Sequence, residues 1–123
     1  MLGTKRESVA VTGVLMCPPD FYTVRDVKNP FMRADAEIDR AVARRQWAAL
    51  RETFASLGVA PHQVEAVEDL EDMVFTANQA FVGASALHPR FVVRSRMRHA
   101  SRQREVPYVV AWFEQNTSFF ESI

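Results

Sequence analysis

The sequence predicts an α/β fold made of two successive strand, helix, strand units, and three observations predict it. A β-branched run, Val9 to Met16 (VAVTGVLM), opens the apolar part of the chain. Apolar residues then recur at helical spacing, at Ile38, Val42, Trp47, Leu50, Phe54 and Leu57. Short apolar pieces return between Met73 and Val93, ahead of a second helical period that starts at Pro107. The 123 residues suit one domain, and an apolar share of 48% is enough for a core. The expected layout is a polar segment over residues 1–8, a first unit over 9–72 and a second over 73–123.

Each element has a local reason. The first strand should end at Cys17-Pro18-Pro19-Asp20, because proline cannot donate to a sheet ladder. Phe21 to Met32 (FYTVRDVKNPFM) shows no clean period and carries an Asn29-Pro30 turn signal, so it reads as an ordered, partly buried connection. Asp35 can cap the helix that follows, and Gly58 stands where a left-handed C-terminal cap belongs. Arg40, Arg44, Arg45, Arg51 and Glu52 fall on its solvent side. A short strand is expected at Gln63 to Val67, then the acidic run Glu68-Asp69-Leu70-Glu71-Asp72, then a strand over Met73 to Ala77. Ala80 to Val82 and Phe91 to Val93 read as further strands. Pro107 falls in the first turn of a second helix, with Val110 and Phe113 on its buried side. Thr117 to Ile123 reads as the start of another strand, whose Phe119, Phe120 and Ile123 would pair with a sheet edge.

Charge and composition exclude several classes. Fifteen basic and fifteen acidic residues balance, so no global field attracts nucleic acid. No apolar run approaches the roughly 20 residues of a membrane span, and the opening residues lack the apolar core of a secretory signal. A single Cys17 cannot form an internal disulfide, which makes a cytoplasmic, reducing setting the expectation.

The chemistry-bearing residues cluster in two stretches. In DMVFTAN, Asp72 precedes an apolar run and Asn78 follows it. Asp72 is either a carboxylate held at a strand end facing a cleft or a solvated acid in an acidic turn, and Asn78 is a natural turn residue. The second stretch is RFVVRSRMRHASRQR, with Arg90, Arg94, Arg96, Arg98, Arg102 and Arg104. Continued strand alternation would set Arg94, Arg96 and Arg98 on one face, a pattern that suits phosphate. Nearby acids offer neutralising partners, and recognition of a single carboxylate by one guanidinium fork fits better than nucleic-acid binding. His62, His88 and His99 are not spaced with Cys17 for a metal, and no cofactor motif is present. Cys17 has no adjacent cation and reads as an inert buried thiol.

Taken in order, MCPPDFYTVRDVKNPFM, the pair Gln46-Trp47, DMVFTAN, and SRQREVPY followed by WFE resemble the N-terminal half of the guanidino-group-modifying enzymes, from about Val14 to Glu114. That superfamily includes amidinotransferases, arginine deiminases, dimethylarginine dimethylaminohydrolases and arginine dihydrolases. The resemblance implies an incomplete five-bladed α/β propeller (pentein) of about two ββαβ blades. It implies that Asp72 grips a substrate guanidinium, that Arg102 holds the substrate α-carboxylate, and that Asn29 and Asn78 lie at the site. An amide at Asn78, where many deiminase-like members carry an acid, resembles the arginine dihydrolase group. The family's reacting cysteine and histidine belong to later blades, and neither Cys17 nor His62, His88 or His99 matches them.

Three readings follow from this. The chain is the substrate-gripping N-terminal part of a hydrolase acting on C–N bonds of arginine or a related guanidino compound, inactive alone. Alternatively, it is a two-blade protein that binds arginine-like ligands and self-associates through strand edges. Least favoured is a nucleic-acid module built on the arginine-rich stretch.

Overall fold

A computed structural model describes residues 11–88 and 90–122, the side chains of 120–122 excepted. The expected polar segment 1–8, the strand residues Val9 and Ala10, and the apolar contacts of Phe120 and Ile123 lie outside the described residues. Among the described residues, four short strands and three helices appear in the order β1 (Gly13–Met16), α1 (Arg40–Ser56), β2 (Ala60–Gln63), β3 (Ala80–Gly83), β4 (Phe91–Arg94), α2 (Ala100–Gln103) and α3 (Val106–Gln115). Two 3-10 helices, Glu71–Val74 and Thr117–Ser122, complete the set.

The first unit is a β-α-β crossover. β1 and β2 pair in parallel, Gly13 opposite Ala60 through Met16 opposite Gln63. Bonds from Ala60 N–H to Thr12 O and from Val64 N–H to Met16 O extend the ladder at both ends. Helix α1 begins one turn later than the sequence suggests. Its N-cap is Asp39, whose carboxylate accepts from Val42 N–H at 2.9 Å, while Asp35 is held by Arg33. Gly58 ends the helix as expected, at φ +76°. Its N–H bonds Ala55 O and the next N–H, of Val59, bonds Phe54 O, the paired closure of a Schellman cap.

The second unit differs more from expectation. Met73 to Ala77 is not a strand: Glu71–Val74 winds into a 3-10 turn, with Phe75 N–H returning to Asp72 O at 2.9 Å. A short apolar run does not by itself separate strand from buried turn, and here Met73 is drawn into the core by Leu70, Val64 and Phe113. The strand expected at Gln63 to Val67 lies three residues earlier, at Ala60–Gln63. β3 and β4 form an antiparallel hairpin, Ala80 opposite Arg94 through Gly83 opposite Phe91. A Cβ at Gly83 would stand 2.7 Å from the tip of the paired Phe91 ring, so a larger residue there requires that ring to shift.

Pro107 opens α3, which buries Val106, Val109, Val110 and Phe113. Thr117–Ser122 is a 3-10 helix, not the strand read from its apolar residues. Phe119 folds back onto an aromatic cluster, with ring centroids 5.7 Å from Trp112, 5.3 Å from Phe113 and 5.2 Å from His62. Stacking among edge-to-face rings replaces the sheet edge as its burial partner. The core gathers Leu15, Cys17, Val64, Leu70, Met73, Val109, Phe113 and Phe119 around this face of β1 and α3. No helix among the described residues is long and apolar enough to cross a membrane.

Candidate ligand-binding site

Between the 21–38 connection, the 3-10 turn at 71–74 and the loop before α2 lies a cleft of about 650 Å³, a volume suited to a small molecule. Asn29, Asp72, Asn78 and Arg102 all line it, and His99 and Arg98 join them. Four positions spread over 74 residues of sequence therefore open onto one cavity.

Asp72 is carried by the 3-10 turn and is only 3% exposed, so the reading as a solvated acid is overturned. The turn points it inward because Leu70 and Met73, on either side, are core residues. Its Oδ2 stands 2.8 Å from Lys28 Nζ, and the same ammonium is 3.8 Å from Glu71 Oε1. Glu71 is as buried as Asp72, and its Oε1 has no hydrogen-bond partner. Lys28 thus bridges two nearly buried carboxylates, and its pairing offsets the cost of desolvating them. Asp26, also 3.8 Å from Lys28, is solvent-exposed and contributes weakly by comparison.

Asn29 forms the turn its Asn-Pro sequence predicts, its side-chain oxygen accepting from Phe31 N–H at 2.9 Å. Asn78 follows the 3-10 turn, and its backbone N–H donates to Gln79 Oε1 at 3.2 Å. Arg102 sits on α2 and is anchored from two sides. Its Nε donates to Glu105 Oε2 and its Nη2 to Phe75 O, each at 2.9 Å. Glu105 is buried, and burial pushes its carboxyl above the usual range against the opposing pull of Gln79 and Arg102.

Other expectations need correction. β4 stops at Arg94, so Arg94, Arg96 and Arg98 share no strand face; Arg98 lines the cleft while Arg94 and Arg96 border a separate depression. His62 lies on β2, half-buried in the aromatic cluster. Asp69 takes Arg25 as its ion-pair partner, at 2.9 Å. Cys17 is the inert thiol its neighbours suggest: it is fully buried, and desolvation pushes its pKa up to about 12. Among the described residues no three His, Cys, Asp or Glu side chains are grouped to hold a metal.

Lys28, Gln79 and Glu105 escaped the sequence reading. Only Glu105 left a trace, as an acid three residues after Arg102 and so on the same helical face.

No family model matches the chain. The bifunctional arginine dihydrolase/ornithine cyclodeaminase ArgZ of Synechocystis is 41% identical over 106 residues, covering 84% of this chain and 14% of that protein. The dimethylarginine dimethylaminohydrolase of Mycobacterium tuberculosis is 36% identical over 97 residues, 79% of this chain and 30% of that enzyme. The crystal structure of the N-terminal domain of ArgZ bound to substrate superimposes with a TM-score of 0.73 at 39% identity, over 85% of this chain and 36% of that domain. The chain thus spans well under half the length of each of these proteins. Like the dihydrolases, whose N-terminal domain it matches, the chain belongs to the guanidino-group-modifying enzyme superfamily.

Proposed function

We propose that this chain supplies the substrate-binding side of a hydrolase that acts on the C–N bonds of arginine or a related guanidino compound. The observation that carries the reading is the convergence of Asn29, Asp72, Asn78 and Arg102 on one cleft with a buried carboxylate and a fixed guanidinium. Asp72 takes the ligand guanidinium, because a carboxylate offers two acceptors to a fork of N–H donors. Arg102 takes the α-carboxylate by the converse match. Asn29 and Asn78 are neutral and set orientation by hydrogen bonds. The similar ArgZ domain is an arginine dihydrolase captured with its substrate, which supports arginine as the ligand class.

Hydrolysis in this family needs a thiolate that attacks the guanidinium carbon and a histidine that moves protons. Cys17 does not serve: a buried thiol held near 12 supplies no thiolate at neutral pH. Turnover therefore requires groups besides those of this chain, which alone binds without reacting. The β1-α1-β2 crossover and the hairpin with α3 are two consecutive blades of the family propeller, corresponding to the units 9–72 and 73–123.

Calorimetric titration with L-arginine tests the reading. Asp72→Ala and Arg102→Ala should each weaken binding roughly tenfold or more, as loss of a charge-assisted contact does, with the circular dichroism unchanged. Undiminished binding in both variants would remove the cleft from consideration.

A second reading is a non-catalytic protein that self-associates. It is favoured by an open apolar groove of about 470 Å³ lined by Val14, Met16, Trp47, Leu50, Phe54 and Phe75. Concentration-dependent sedimentation would support it, and a strict monomer would exclude it. Nucleic-acid binding is disfavoured by the dispersal of the arginines over different surfaces.

A further inference from the structure

The Arg102 guanidinium and the Gln79 carboxamide donate to the same two acceptors. Gln79 Nε2 donates to Phe75 O and to Glu105 Oε2, each at 2.8 Å, and Arg102 donates to those two groups at 2.9 Å. Gln79 Oε1 accepts from the Asn78 N–H at 3.2 Å, which engages both N–H donors and the oxygen of its amide. Gln79 is 0% exposed and Glu105 1%. Both are anchored by backbone: Ser95 N–H bonds Gln79 O at the mouth of the hairpin, and Tyr108 and Val109 N–H bond Glu105 O at the start of α3.

We propose that Gln79 and Glu105 are positioning residues that lock Arg102 and the 75–78 loop into one fixed relation, so that the cleft selects guanidino ligands bearing a carboxylate. This rests on the reading of Arg102 as the carboxylate-binding group. Two of the five guanidinium N–H donors are used by Glu105 and Phe75, which leaves three in a plane fixed from behind. A guanidinium so held forfeits little rotamer freedom when a ligand carboxylate docks, and that is the gain of pre-organisation. Because Phe75 O is shared, the same lock sets the loop that presents Asn78 to the ligand. Neither residue touches the ligand itself.

Arginine and agmatine separate the roles, since agmatine keeps the guanidinium and lacks the carboxylate. The affinities of both would be measured for the wild-type chain and for Gln79→Met, Glu105→Gln and Arg102→Met, alongside solvent exchange of the Arg102 Nε–H by NMR. Gln79→Met and Glu105→Gln should each weaken L-arginine roughly tenfold while changing agmatine less than about twofold, and should speed exchange of the Nε–H, whose acceptor loses its charge in Glu105→Gln and the amide that orients it in Gln79→Met. Arg102→Met should abolish the preference for arginine over agmatine. If Arg102→Met leaves that preference intact, the assignment of Arg102 fails. If it removes the preference while Gln79→Met and Glu105→Gln retain it, the lock is overturned and the assignment stands. Equal weakening of both ligands in the lock variants would also overturn it, by reducing them to structural residues. The exchange measurement needs no ligand: an Nε–H that stays protected in both lock variants overturns the proposal.

Discussion

Helix α1 runs for 17 residues and buries none of them, whereas α3 buries four in a run of 10. Their ends show the reverse. α1 has a side-chain N-cap at Asp39 and a glycine closure at Gly58, while the N-cap of α3, Glu105, makes no side-chain bond to its own helix and turns its carboxylate to Gln79 and Arg102. α1 is held largely by local chemistry and α3 by tertiary packing. The consequence reaches the cleft, because Glu105, Arg102 and Gln79 all hang on the well-packed half.

The largest effect should come from the packed helix. Phe113 is in the core and meets both Trp112 and Phe119 edge to face, so Phe113→Ala should cost about 3–5 kcal/mol by urea denaturation. A cost under about 1 kcal/mol would mean that the aromatic cluster collapses to fill the space, and the contrast between the helices would fall.

On α1 the caps should matter more than any side chain. Asp39→Ala should lose about 1 kcal/mol. Gly58→Ala should lose a similar amount, roughly 1 kcal/mol, since no atom lies within 4 Å of the added Cβ and the cost is that of φ +76°. If either is silent, α1 is held by contacts on its apolar face after all.

Glu105 sharpens the comparison through pH. Its carboxyl titrates higher in the folded chain than in the unfolded one, because burial outweighs its hydrogen bonds. The native state then holds the proton more tightly, so this group's contribution favours folding increasingly as pH falls through the native value, and levels off below the unfolded one. Glu105→Gln lacks that contribution. The stability difference between wild type and Glu105→Gln should therefore shift in favour of wild type on acidification from neutral, and a pH-independent difference would contradict it.

How much was legible follows the same division. α1 could be read from sequence because its signals are local: a capping acid, an apolar period and a glycine at the exit. Even there the cap fell on Asp39 instead of Asp35, since the apolar period is read from Ile38, one residue before the true cap, and only geometry shows which acid reaches Val42. The 3-10 turn at Glu71–Val74 and the return of Phe119 read as strands from sequence, because an apolar run does not show whether it packs on a sheet edge or, as Met73 and Phe119 do, on the side chains of the core. Asp72 and Asn78 stand out in DMVFTAN and Arg102 in the arginine-rich stretch, but their roles, and the place of Asn29, came from resemblance. Lys28 beside Asp72 sits within FYTVRDVKNPFM and Gln79 beneath Arg102 just after DMVFTAN, but neither had a signal of its own that marked it for the cleft until the fold buried it.

The smallest expected effect concerns the half-covered apolar face of α1. Leu50 is 49% exposed and borders the open groove with Trp47 and Phe54. Half its apolar surface already meets water, so Leu50→Gln should change stability by no more than about 0.5 kcal/mol at low protein concentration. The informative variable is concentration. A penalty that grows as the protein is concentrated would mean that the groove is covered by a second copy, because association stabilises the folded state by mass action. In that case α1 owes its stability to packing as α3 does, with the partner surface in another molecule, and the contrast holds only for the isolated chain.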